Sequence, residues 1–87
     1  MTLQHPTIAI IGAGGWGTAL SIVLARNAEH IRLWVYEPDL CEALRTSRVN
    51  SVYLPGFRLP ANVLPTTRLG EAVEGAELVI VAVPSQH

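Results

Sequence analysis

The sequence predicts an α/β protein whose core is a doubly wound parallel sheet of about four strands. Short apolar runs alternate along the chain with segments of helical patterning. A glycine-rich turn joins the first apolar run to the first helical segment. Apolar residues make up 49% of the 87 residues and charged residues 15%, which is typical of a sheet covered on both faces. This length suffices for one small domain.

The elements follow from changes of hydrophobic period along the chain. Strands are predicted at residues 7–11, 31–36, 64–67 and 78–83, and helices at residues 16–27, 38–48 and 69–74. Pro38 suits a first helical turn, and Gly75 ends the third helix. The third strand contains Pro65, which a sheet tolerates at a strand's start or at an edge. Residues 50–63 are predicted to be irregular. Right-handed crossovers place the strands in the order third, second, first, fourth.

The glycine turn has the spacing of a dinucleotide-binding loop, with Gly12, Gly14 and Gly17 at its first, third and sixth positions. Gly12 allows the sharp turn out of the strand, Gly14 lets a pyrophosphate approach the backbone, and Gly17 lets the helix lie close to the strand. Free N–H groups and the positive end of the helix dipole then hold the phosphate oxygens. The alternative is a tight strand-to-helix turn that binds no ligand.

Composition and charge argue against several other classes of protein. The net charge of −1 gives no electrostatic basis for binding nucleic acid or an anionic membrane surface. Residues 6–25 carry no formal charge, but three glycines in a strict pattern interrupt them, so a buried strand and helix explain the run better than a membrane span. The single cysteine, Cys41, excludes an internal disulfide and suits a reducing cytoplasm. The three histidines lack ligand-like spacing, so no metal is assigned.

Further landmarks extend over essentially the whole chain. They are Thr18-Ala19-Leu20 after the glycine turn, Leu33-Trp34, Asn50 with Tyr53-Leu54-Pro55-Gly56, Leu59-Pro60, and Val83-Pro84-Ser85. Together with the glycine turn, they resemble the N-terminal domain of NAD(P)-dependent glycerol-3-phosphate dehydrogenases. The glycine motif alone fits many dehydrogenases, whereas the Tyr-Leu-Pro-Gly segment followed by Val-Pro-Ser after the last strand is much more specific.

The resemblance implies a Rossmann-type domain of a bacterial-type cytoplasmic enzyme of glycerophospholipid precursor synthesis. Such an enzyme interconverts dihydroxyacetone phosphate and sn-glycerol 3-phosphate with NAD or NADP as hydride carrier. The resemblance is also compatible with assembly of the enzyme as a homodimer. In this family a lysine orients the substrate and serves the proton transfer. Because this chain contains no lysine, no catalytic residue is assigned, and the isolated chain is expected to be inactive.

Nine residues form the predicted cofactor-binding set. They are Gly12, Gly14, Gly15, Trp16 and Gly17 in the turn, Tyr36 and Glu37 after the second strand, and Pro84 and Ser85 after the fourth. Gly15 departs from the Ser or Asn common in the family, which removes a side-chain contact and leaves a backbone contact. Trp16 is predicted to wall the cofactor, the alternative being packing on the next loop. Trp34 is expected to serve packing. Tyr53 is expected to pack the long loop, the alternative being that its segment shields the adenine side of the cofactor.

Glu37 lies twenty residues beyond Gly17, at the end of the second apolar run. An acid at this place bonds the adenosine ribose hydroxyls, and a carboxylate repels a 2′-phosphate. Bacterial relatives often carry Arg or His at the position of Tyr36, so Tyr36 and Glu37 together favour NAD over NADP. The alternative for Glu37 is a solvated carboxylate near the start of the second helix.

The chain stops soon after the fourth predicted strand, which is left as an exposed apolar edge. We therefore expect residues 1–87 to be an incomplete N-terminal NAD(P)-binding domain of a two-domain enzyme, without the C-terminal substrate domain. Two other functions stay open from the sequence. One is a non-catalytic dinucleotide-sensing module, and the other is a different NAD(P)-dependent reductase of the same fold.

Overall fold

A computed structural model describes residues 6–82 of the chain. It contains six strands, three α-helices and one short 3-10 turn. The strands are β1 (Thr7–Ile11), β2 (His30–Trp34), β3 (Val49–Asn50), β4 (Leu54–Arg58), β5 (Val63–Thr66) and β6 (Leu78–Val81). The helices are α1 (Gly15–Leu24), which runs on into the 3-10 turn Ala25–Asn27, then α2 (Pro38–Ser47) and α3 (Leu69–Val73).

Four strands form one parallel sheet in the order β5-β2-β1-β6. This confirms the predicted order, because β5 and β6 are the third and fourth strands of the sequence prediction. The register pairs Ile8 with Ile31 and Ile10 with Leu33 across β1 and β2. Equivalent side chains therefore line one face of the sheet, as the period of two requires.

The buried apolar core lies between that face and the first two helices. Ile10, Ile31 and Leu33 are completely buried there, and Leu44 of α2 packs against the same cluster. The opposite face is covered by the short α3. Arg32 extends toward this helix and donates to the carbonyl oxygen of Glu71 at 3.0 Å and to that of Glu74. Helices thus cover both faces, which is the doubly wound arrangement.

The segment predicted as irregular, residues 50–63, instead contains part of a small antiparallel sheet. β3 pairs with β4, and the register shifts between Val49 and Asn50. The prediction was wrong here because Pro55 and Gly56 lie within β4 and hide its strand pattern. The hairpin folds back over the start of α1, where the backbone of Tyr53 approaches Gly15.

The two edges of the parallel sheet differ. Pro65 is accommodated because β5 is an edge strand, with no further partner strand in residues 6–82. Side chains cap its outward carbonyls, since Arg45 donates to Pro65 O at 3.2 Å and Arg48 donates to Val63 O at 2.7 Å. At the other edge, β6 leaves exposed the apolar side chains of Leu78, Val79 and Val81. Among the helices within residues 6–82, not one has the length and apolar character needed to cross a membrane.

Candidate functional site

The site is built where β1 ends and turns into α1. Gly12 has φ of 122°, in the left-handed region that favours glycine. Its N–H still donates to Trp34 O of β2 at 3.1 Å, so the chain leaves the sheet in a single residue. The turn therefore brings the N-terminus of α1 to the carboxyl end of the sheet, where ligands of this fold class bind.

Gly14 and Gly17 meet opposite surroundings in this turn. A methyl group added at Gly17 would overlap the carbonyl group of Gly12 and would lie 3.4 Å from Ala82 Cβ. Only glycine therefore allows α1 to cross this closely over the turn. A methyl group added at Gly14 meets no atom within 4 Å. The space over Gly14 is open, as the approach of a ligand to the backbone requires.

The first N–H groups of α1 are free to bind an anion. The N-cap residue Gly14 has no side chain and makes no capping hydrogen bond. Within residues 6–82, the backbone N–H groups of Gly14, Gly15 and Trp16 find no acceptor. No acidic side chain lies in the first turn of α1, so the positive end of its dipole is uncompensated there. These features fit a diphosphate group.

A cavity of about 140 Å³ lies beside the turn. Seven residues line it, namely Gly12, Ala13, Gly14, Trp34, Tyr36, Glu37 and Tyr53. The structure thus brings together four predicted site residues, two from the turn and two from the end of β2. Within the described part of the chain, Glu37 is the only side chain with a formal charge in this lining. A carboxylate beside an amide-lined turn suits a ligand that offers hydroxyl groups at one end and phosphate at the other.

Three further predicted residues, Gly15, Trp16 and Gly17, do not line this cavity. Trp16 is 67% exposed on the first turn of α1 and does not line it. A methyl group at Gly15 would lie 3.1 Å from Tyr53 O, so this glycine lets the hairpin approach the helix start. Pro84 and Ser85 lie outside the residues that the structure describes. The contacts predicted between all nine residues and a cofactor stay predictions.

Two aromatic residues that were expected to serve packing also line the cavity. Trp34 packs edge-to-face on Tyr36, with ring centroids 6.0 Å apart, and its Nε1 donates to Thr67 O at 2.9 Å. Tyr53 reaches the cavity from the hairpin that sequence reasoning treated as irregular. The two-residue spacing of Trp34 and Tyr36 was the signal in the sequence, because side chains two apart point the same way along an extended chain.

Other features of the described region do not compete with this site. A larger cavity of about 460 Å³ lies at the β5 edge, lined in part by Arg32, Arg45 and Glu71. Its polar groups already bond one another or nearby carbonyls: Arg45 bonds Pro65 O, and Glu71 accepts from Thr66 Oγ1 at 2.6 Å. Within residues 6–82 no three His, Cys, Asp or Glu side chains group as metal ligands.

Comparison with known proteins agrees with this geometry. The family described as "NAD-dependent glycerol-3-phosphate dehydrogenase N-terminus" matches residues 7–87. A glycerol-3-phosphate dehydrogenase [NAD(P)+] of Moorella thermoacetica is 48% identical over 79 residues, which are 91% of this chain and 24% of that protein. One from Thermus thermophilus is 49% identical over 79 residues, with the same coverage.

Solved structures give the same result. A crystal structure of glycerol-3-phosphate dehydrogenase from Coxiella burnetii superposes with a TM-score of 0.85 at 41% identity, over 94% of this chain and 25% of that one. The Plasmodium falciparum enzyme gives a TM-score of 0.82 at 28% identity, over 93% of this chain and 25% of that one. The chain spans about a quarter of the length of these relatives. By its glycine turn, its strand order and this match over nearly its whole length, the chain belongs to the N-terminal domain family of NAD-dependent glycerol-3-phosphate dehydrogenase.

Proposed function

We propose that the chain is the cofactor-binding part of an enzyme that interconverts dihydroxyacetone phosphate and sn-glycerol 3-phosphate. The observation that carries the proposal is the open glycine turn, where three N–H groups have no acceptor in residues 6–82 and a methyl group at Gly14 would meet no atom within 4 Å. Such a corner is suited to a diphosphate because amide donors and the helix dipole both favour negative charge. A bound nicotinamide ring supplies the hydride chemistry.

In this proposal the chain's own residues bind and orient the cofactor. Gly12 and Gly17 shape the turn, while the backbone of Gly14, Gly15 and Trp16 donates to the phosphate oxygens. Tyr36 and Glu37 lie at the adenosine ribose, where the Glu37 carboxylate accepts from the hydroxyls. Contact of Pro84 and Ser85 with the nicotinamide half is part of the proposal, and both residues lie outside the described region.

Substrate binding and proton transfer are assigned to parts outside this chain. The 87 residues contain no lysine, and the relatives are about four times as long. We therefore expect the chain to bind NADH without oxidising it when dihydroxyacetone phosphate is added. Absorbance at the nicotinamide band tests this, and steady loss of NADH would contradict it.

Cofactor choice is proposed to favour NAD. Among residues 6–82, the cavity lining contains one carboxylate and no arginine, lysine or histidine, so a 2′-phosphate meets repulsion there without a compensating cation. NADH should bind about tenfold more tightly than NADPH. NADPH loses one charge-assisted hydrogen bond to the Glu37 carboxylate, and its 2′-phosphate is repelled by that carboxylate. Glu37→Ala should reduce that ratio toward one, mainly by weakening NADH.

Tryptophan fluorescence quenching measures both affinities. Trp34 lines the cavity and Trp16 does not, so the Trp16→Phe and Trp34→Phe variants assign the signal to one indole. Glu42→Ala is the matched control, because Glu42 is an exposed acid of α2, the helix that follows Glu37, and does not line the cavity. An unchanged NADH affinity in Glu37→Ala would show that Glu37 is only a solvated carboxylate.

The cellular setting belongs to the same proposal. The resemblance supports a role in glycerophospholipid precursor synthesis, a cytoplasmic location and a homodimeric full-length enzyme. Cys41 is a buried free thiol, which agrees with a reducing compartment. Sedimentation of the full-length enzyme tests the homodimer, and loss of sn-glycerol 3-phosphate in cells that lack the gene tests the pathway.

A further inference from the structure

Asn50 is a completely buried polar side chain whose hydrogen bonds all go to the site. Its Nδ2 donates to Ala13 O and to Thr18 Oγ1, both at 2.8 Å, and its Oδ1 accepts from Tyr53 N at 3.1 Å. Ala13 O only accepts and Tyr53 N–H only donates, so the side-chain amide fits in one orientation alone. One side chain therefore ties the hairpin to the glycine turn and the start of α1.

The contact with Ala13 O fixes the direction of a neighbouring N–H group. Thr18 Oγ1 donates to the same carbonyl at 3.3 Å, so two donors hold Ala13 O on the buried side. In a planar trans peptide, the carbonyl and the following N–H point in opposite directions. Holding Ala13 O inward thus turns the Gly14 N–H outward, at a residue where an added methyl group would meet no atom within 4 Å.

Packing alone does not explain an asparagine at this position. A buried amide costs free energy unless it is fully bonded, and an apolar side chain of similar size fills the same volume without that cost. What an apolar side chain lacks is a donor for Ala13 O and an acceptor for Tyr53 N–H. Both of those groups belong to residues that line the cavity.

We propose that Asn50 is a positioning residue that aims the Gly14 N–H at the phosphate of the bound dinucleotide. Asn50 touches no ligand itself and acts through the Ala13–Gly14 peptide. The same side chain holds the Tyr53 backbone against Gly15, so that the hairpin forms one wall of the cavity. The proposal rests on the proposed cofactor-binding function and adds a residue to it.

Binding of ADP and of adenosine to the full 87-residue chain separates the phosphate contact from the rest of the ligand. In Asn50→Ala, the dissociation constant for ADP should rise about tenfold, as expected for one lost hydrogen bond to a charged group. The dissociation constant for adenosine should change by less than about twofold, since adenosine lacks the phosphate that Gly14 N–H would contact. In ¹H–¹⁵N spectra, ADP should shift the Gly14 amide signal of the wild type and leave it in place in the variant.

Asn62→Ala is the matched control. The Asn62 side chain also donates two hydrogen bonds to backbone carbonyls, those of Ala25 at 2.9 Å and Ala28 at 3.1 Å, but it does not line the cavity. Its loss should lower the melting temperature and leave both affinities unchanged. Should Asn50→Ala not fold, Thr18→Val replaces it, with Thr18→Ser as the variant that keeps the hydroxyl and restores ADP binding.

The outcomes distinguish this proposal from the proposed cofactor-binding function on which it rests. If the wild type binds neither ADP nor NADH, the cofactor-binding function itself fails. If the wild type binds ADP and Asn50→Ala binds it equally well, Asn50 has no positioning role. Equal losses for ADP and adenosine also overturn the proposal, because they indicate a general collapse of the cavity.

Discussion

Gly14 and Gly17 lie three residues apart, yet they are glycines for different physical reasons. At Gly17 the limit is space, since any side chain collides with the backbone of Gly12. At Gly14 the surroundings are open, and φ is −73°, which other residues adopt freely. The fold alone therefore requires glycine at position 17, whereas at position 14 the fold sets no such requirement and the proposed ligand supplies one.

Alanine substitutions separate these two reasons. Gly17→Ala should lower the free energy of unfolding by about 3 kcal/mol, because overpacking forces α1 away from the turn. Gly14→Ala should cost less than about 1 kcal/mol, the scale of a changed N-cap. Urea denaturation measures both values.

For NADH affinity the order of the two effects should be reversed, with the larger loss in Gly14→Ala. Gly14→Ala should weaken NADH binding at least about tenfold, because the methyl group fills the space over the amide donors. Fluorescence titration of this variant, which retains its fold, gives the value. An unchanged affinity would place the diphosphate elsewhere.

At the scale of elements, the two edge strands of the sheet are protected to different extents. β5 contains a proline, and its outward carbonyls of Val63 and Pro65 receive Arg48 and Arg45. β6 has exposed valines and no such cap among the described residues. An unprotected apolar edge invites pairing with another chain, so the two edges should behave differently in solution.

Arg48 combines a backbone and a side-chain effect that substitution separates. It ends α2 with φ of 63°, and its guanidinium donates to Pro60 O at 2.6 Å and to Val63 O at 2.7 Å. Arg48→Ala should lower the free energy of unfolding by about 2 kcal/mol through the lost bonds. Arg48→Gly should cost about 1 kcal/mol less than Arg48→Ala, because glycine adopts the left-handed conformation freely. Equal losses in urea denaturation would contradict this division.

The β6 edge, which has no partner strand beyond β1 among residues 6–82, predicts self-association of the 87-residue chain. Val81 is 65% exposed on this strand, and Val81→Lys should shift the chain toward monomer because a charge on an edge strand opposes pairing. Val23→Lys is the control, since Val23 is similarly exposed, at 61%, on α1. Analytical ultracentrifugation over a range of concentrations measures the effect. An equal effect of both variants would indicate general solubilisation in place of an edge contact.

At the scale of the whole molecule, Cys41 reports on global unfolding. Its thiol is buried against the core, and burial, opposed by the nearby Arg45 charge, raises its pKa above the ordinary value of 9.0. A native thiol of this kind reacts slowly with thiol reagents. Modification of Cys41 should therefore follow the unfolding equilibrium in urea. Rapid labelling without denaturant would contradict the burial.

The same shift in pKa gives a pH dependence. Because the folded pKa is above the unfolded one, the stabilising contribution is fully present below pH 9.0 and is lost as the pH rises through the folded pKa. The free energy of unfolding of the wild type should decline over that range. Cys41→Ala should lack this part of the decline.

Local patterns in the sequence were enough to predict the strands of the parallel sheet, their order and the glycine turn. The alternation of apolar runs located the four strands of the parallel sheet, and the order of those strands followed from right-handed crossovers. The spacing of Gly12, Gly14 and Gly17 indicated the turn, because each glycine answers a constraint within a few residues of itself.

Which distant residues meet at that turn follows from the tertiary fold alone. The bonds from Asn50 to Ala13 and Thr18 span more than thirty residues, and β4 conceals its strand pattern behind Pro55 and Gly56. Tyr53 likewise reaches the cavity only because its hairpin folds over α1. Periodicity reports which face of an element is buried, but it carries no information about the partner of a single polar side chain. That partner is fixed only when the chain folds and brings residues that are distant in sequence into contact.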